Sequence, residues 1–211
     1  MRWKSLGYPF GFSGGCEIQL NCSSGGQISL AGFAVYNVTS DSIMILFPAK
    51  CNRPIQDITK LFDKHYAPTG QNELLLQNCT SPLNRCAVSA SLLVSLVESM
   101  DCKPGKLSCL APTGIDVLTC EYISRTGCKF LLSSIFVGSS VELNSSVSLD
   151  FQMLQLGWWS TGECRCSENA NCTIVLLADG SSGYRCLCND GFIDDGFADG
   201  QGSRKGQILS S

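Results

Sequence analysis

The sequence predicts a mostly β protein made of small disulfide-rich domains, and three observations lead there. There are fourteen cysteines in 211 residues, the apolar runs are of strand length and bounded by Gly, Ser, Asp and Pro, and five N-glycan acceptor triplets are present. Cysteines at this density belong to an oxidising compartment, where disulfides persist. The triplets begin at Asn21, Asn37, Asn78, Asn144 and Asn171, and they have meaning only for a chain that passes through the secretory pathway. A content of 44% hydrophobic and 16% charged residues marks a folded chain. No run reaches the roughly 18 apolar residues of a membrane span. Met1-Arg-Trp-Lys4 has the charge of a secretory leader, but no apolar stretch follows it, so an incomplete start is expected.

The cysteines divide the chain into three blocks. Residues 1–66 contain Cys16, Cys22 and Cys51 amid β-type alternation. Tyr8, Phe10 and Phe12 share one side of an extended run, and Ile28–Tyr36 and Ile43–Phe47 read as strands. Three is an odd number, so one partner is missing, free or in another block. Residues 67–162 contain Cys79, Cys86, Cys102, Cys109, Cys120 and Cys128, whose pairing the sequence does not choose. Here Ala87–Val97 suits a strand pair or a short helix, and Lys129–Val137 reads as a buried strand. Residues 163–205 contain Cys164, Cys166, Cys172, Cys186 and Cys188. A segment of about 40 residues cannot fold on its apolar core alone and requires cross-links or a metal. Two Cys-x-Cys pairs would suit zinc, but an oxidising compartment favours disulfides. Residues 1–162 are neutral, and the net charge of −3 lies entirely in the last block. That balance has no basic excess for nucleic acid.

Four landmarks follow one another in order: Tyr8-Pro-Phe-Gly-Phe-Ser-Gly-Gly-Cys16 with Cys22; Asn78-Cys-Thr-Ser-Pro-Leu-Asn-Arg-Cys86; Gly157-Trp-Trp159 with Gly162-Glu-Cys-Arg-Cys-Ser167; and Gly191-Phe-Ile-Asp-Asp-Gly-Phe-Ala-Asp-Gly200. Together they resemble the extracellular part of plant wall-associated receptor kinases. The resemblance implies a cell surface facing the cell wall, with an N-terminally incomplete galacturonan-binding domain over 1–66, a cysteine-rich associated region over 67–162 and an EGF-like module over 163–205. It also implies truncation before a membrane span and kinase. The chain has no Gly-rich phosphate loop, Val-Ala-Ile-Lys strand or His-Arg-Asp segment, so no enzymatic activity is assigned. EGF-like pairing would join Cys164 to Cys172 and Cys166 to Cys186. Ser203 stands where the sixth cysteine is expected, which leaves Cys188 unpaired and open to linkage with another molecule. Asp194 replaces a glycine at a position that calls for positive φ. Ser160–Glu163 offers one carboxylate where calcium needs several oxygen donors, and no metal or cofactor is expected.

The partner that the resemblance implies is a pectic polysaccharide. A galacturonan is a polyanion with apolar sugar faces, so spaced cations and aromatic surfaces suit it. Lys50, Arg53, Lys60 and Lys64, with Tyr36, are the candidate ligand-binding residues; from the charge pattern alone an ordinary solvated surface is the favoured reading of the cations. The Tyr8/Phe10/Phe12 stripe is better placed in a core. His65, the single histidine, is expected at the surface, and no triad surrounds it. The alternative partner is an extracellular protein or peptide.

Overall fold

The computed structural model describes residues 6–81, 83, 86, 93, 95, 107–139 and 147–206. Strands β1 (Phe10–Gly11) and β2 (Ile18–Gln19) pair in parallel. They are followed by an antiparallel run of β3 (Asn21–Cys22), β4 (Ile28–Leu30), β5 (Phe33–Val38) and β6 (Ser42–Leu46). The apolar run Ile28–Tyr36, read from sequence as one strand, folds back on itself. Ala31 and Gly32 take φ of 51° and 86°, and Leu30 pairs with Phe33, as in a two-residue hairpin of type I′. A 3-10 helix over Ile55–Leu61 buries Ile55, Ile58 and Leu61, a three-residue spacing that matches its three residues per turn.

The remaining elements of the main body are β7 (Tyr66–Pro68), β8 (Asn72–Gln77), β9 (Leu107–Leu110), a short helix α1 (Cys120–Ser124), β10 (Phe130–Ser139), β11 (Val147–Phe151) and β12 (Met153–Trp158). The Thr119 hydroxyl caps α1 by accepting the Tyr122 amide. Two antiparallel sheets result, one ordered β3-β4-β5-β6-β12-β7 and the other β11-β10-β8-β9. The division expected at residue 66 does not coincide with a break in hydrogen bonding. β12, from the second block, lies between β6 of the first and β7, which itself straddles the division. Most of Ala87–Val97 falls outside the described residues.

Strand β8 is buried along its whole length because it has an apolar layer on each side. Leu74 and Leu76 join Ile43, Ile45, Leu154 and Leu156 in the main core. Leu75, pointing the other way, packs with Leu132, Ile135 and the Cys86–Cys109 bridge. Period-two alternation thus serves two layers at once.

In the tail, β13 (Ala170–Leu176) and β14 (Ser182–Cys188) form a hairpin, and β15 (Phe192–Ile193) pairs with β16 (Arg204–Lys205). Cys164 is bonded to Cys172 and Cys166 to Cys186. In the main body Cys79 joins Cys128 and Cys86 joins Cys109, while Cys51 is also disulfide-bonded. Cys16, Cys22, Cys120 and Cys188 are free thiols.

Candidate ligand-binding clefts

The five residues singled out for a polysaccharide do not share one site: Lys50 and Arg53 line the same groove, and the other three lie elsewhere. Lys50 is exposed after β6, its amide tied to the Leu132 carbonyl at 2.9 Å. Arg53, grouped by sequence with the surface cations, is instead only 5% exposed. Its guanidinium lies 4.0 Å from the centre of the Phe47 ring and donates to the Pro48 carbonyl, while Nη1 has no acceptor. Burial lowers its pKa, with the Asp57 charge opposing. Lys60 is exposed and sits 3.4 Å from Asp57. Lys64 is exposed beside a cleft that also contains Glu17 and Asp63. Tyr36 lines a different and larger cleft.

Sign of charge separates these clefts. The largest, about 730 Å³, lies between β5 and the tail and includes Asp194 and Asp195. A second, about 510 Å³, is polar and holds Arg185 together with Asp41 and Asp116. Arg185 is half-buried; it donates to the Trp158 carbonyl, and burial lowers its pKa. A groove of about 430 Å³ is lined by Gly32, Phe33, Leu46, Pro48, Lys50 and Arg53 among others. Of the five main clefts among the described residues, this groove alone has cations and no carboxylate on its walls.

His65 is not at the surface. It is 2% exposed, with Nδ1 3.3 Å from a Glu17 carboxylate oxygen and 3.3 Å from the Trp159 carbonyl. Tyr8 donates to the other oxygen of Glu17 at 2.6 Å; burial, then that bond, raises the tyrosine pKa. Sequence reading missed this cluster because its members come from three separate segments.

Asp195, in the acidic stretch of the tail, binds backbone. It accepts the amides of Tyr8, Phe197, Gln201 and Gly202 at 2.8–3.1 Å. Asp194 sits at φ of 95° and pairs with Arg204 at 2.8 Å. The glycan acceptors Asn21, Asn37, Asn78 and Asn171 are all exposed, and Asn144 lies outside the described residues. Glu73, Cys86 and Cys109 come within metal-ligating distance of one another, but the two sulfurs are joined in a disulfide. No helix among the described residues is long and apolar enough to cross a membrane.

These features define a disulfide-stapled β protein with several clefts on its surface. The chain is homologous to Arabidopsis thaliana wall-associated receptor kinase-like proteins over about nine-tenths of its length. It is 34% identical to wall-associated receptor kinase-like 14 over 204 residues, which are 92% of the chain and 29% of that relative. With wall-associated receptor kinase-like 21 it shares 36% identity over 203 residues, 91% of the chain and 31% of the relative. The chain thus spans about three-tenths of the length of the curated relatives it matches. No protein-family model matches it, and no solved structure matches it.

Proposed function

We propose that the chain is the non-catalytic, cell-wall-facing extracellular region of a receptor-kinase-like protein and that it holds pectic polysaccharide, a galacturonan. Homology to proteins named wall-associated and the disulfides of an oxidising compartment support the location. One observation favours the ligand: the groove with Lys50 and Arg53 on its walls and no acid among them. Its exposed ammonium attracts a sugar carboxylate, and Phe33, Leu46 and Pro48 offer apolar surface to a ring face.

Retention of the oxidised, secreted chain on de-esterified polygalacturonate, against a neutral glucan, tests this. Lys50→Ser should weaken retention by up to about fivefold, the upper range for one exposed charge, and added salt should do likewise. Lys64→Ser, whose lysine shares its cleft with Glu17 and Asp63, should have little effect. Salt-insensitive retention unchanged by Lys50→Ser would remove this groove as the site.

A further inference from the structure

The largest cleft has no cation free to meet an anionic ligand. Of its two carboxylates, Asp194 is paired with Arg204 and Asp195 with four backbone amides. Its walls are otherwise apolar or neutral, with Tyr36, Phe10, Leu187 and Ile193 among them. An uncharged amphipathic occupant suits such a surface.

A candidate occupant is anchored at the rim. Asn37 lines this cleft, whereas Asn21, Asn78 and Asn171 line none of the clefts described. The register between β5 and β6 shifts between Val35 and Asn37. This irregularity sets two consecutive side chains, Tyr36 and Asn37, on the cleft wall, where an unbroken strand would send them to opposite faces. Tyr36 is 49% exposed, and the Asn37 carboxamide has no hydrogen-bond partner among the described residues. The acceptor segment is held firmly: the Trp158 indole donates to the Thr39 carbonyl at 3.1 Å, and the Thr39 hydroxyl donates to Asp41 at 2.7 Å.

We propose that Asn37 is N-glycosylated and that the innermost N-acetylhexosamines of its glycan lie back in this cleft against Tyr36. The donor is a lipid-pyrophosphate-linked oligosaccharide. The Asn37 nitrogen forms a bond to the anomeric carbon and loses a proton, the bond from that carbon to the pyrophosphate oxygen breaks, and the lipid pyrophosphate leaves. A neutral sugar with one apolar face and an acetamide methyl meets both the aromatic ring and the uncharged walls. The inference rests on passage through the secretory pathway and is independent of pectin binding at the Lys50 groove.

Peptide mass spectrometry of protein secreted by a eukaryotic host should find Asn37 modified. Loss of that glycan, by Asn37→Gln or by enzymatic release from the folded wild-type protein, should lower the thermal midpoint by about 2–4 °C, the shift expected for one modest contact in a domain of this size. Asn171→Gln should not lower it. Tyr36→Ala should abolish the difference between glycosylated and glycan-free protein. Enzymatic release keeps the comparison available should a variant fail to fold. An unmodified Asn37, a midpoint indifferent to the glycan, or a difference that survives Tyr36→Ala each overturns the proposal.

Discussion

Cys188 and Ser203 show how one residue type alters local chemistry. The free Cys188 thiol is half-buried, donates to the Asp194 carbonyl at 3.6 Å, and lies within hydrogen-bonding reach of the Ser203 hydroxyl. Burial, then the charges of Asp194 and Asp195, raises its pKa, so little thiolate exists at neutral pH. That opposes the intermolecular linkage expected from an odd cysteine in the sequence. Ser203 also meets Ser167, hydroxyl to hydroxyl, at 2.5 Å, so position 203 is held in place beside the sulfur. Ser203→Cys should therefore close a bridge to Cys188. Closing a loop of about 15 residues is worth about 3 kcal/mol, seen as a raised denaturation midpoint, with non-reducing mapping recovering the peptide that links Cys188 to the introduced thiol. Mapping that finds both thiols free in oxidised protein would show that the two positions do not face each other.

Among the elements, β8 and β12 are joined by one side chain. Asn72, fully buried, donates to the carbonyls of Thr69 and Gln155 at 2.8 Å each and accepts the Gln155 amide at 2.7 Å. It therefore links the four-stranded sheet to the six-stranded one. Asn72→Ala leaves buried backbone groups unmet and should cost about 2–3 kcal/mol. Urea unfolding measures this, and a loss below about 0.5 kcal/mol would mean that water or rearrangement replaces the amide. Local patterns explain what was legible in the sequence here. The continuous apolar run beginning at Lys129 identified the buried strand β10, whose Leu131–Leu132 and Ile135 are indeed buried. The hairpin inside Ile28–Tyr36 was missed because Ala-Gly is a weaker turn signal than Asn-Gly. The insertion of β12 between β6 and β7 joins segments about a hundred residues apart, and no local periodicity encodes such a partner. The candidate site was less legible still, since grouping cations by sequence proximity placed Arg53 with exposed lysines, although its stacking on Phe47 buries it.

At the scale of the whole molecule, the tail folds against the first sheet through an aromatic contact. Phe197, 1% exposed, has its ring 5.0 Å from Tyr8, 5.9 Å from Tyr184 and 6.4 Å from Trp158. These partners come from the N-terminal segment, the tail hairpin and β12, so one side chain reports on three parts of the chain. Trp159 adds to the join: its indole donates to the Lys64 carbonyl at 2.8 Å, and a Cβ on Gly183 would come within 2.3 Å of its ring. The tail has little apolar core of its own, with Ile174, Leu176, Leu187 and Ile193 exposed. Its stability beyond the two bridges must draw on this contact, so the intact protein should unfold in a single transition. Phe197→Ala removes about 3–5 kcal/mol of buried packing and should split that transition in two. The earlier step should expose the tail amides, and the Tyr8 amide held by Asp195, to hydrogen exchange. A single transition retained in Phe197→Ala, with Tyr8 still protected, would mean that the backbone hydrogen bonds to Asp195 suffice to couple the tail to the body.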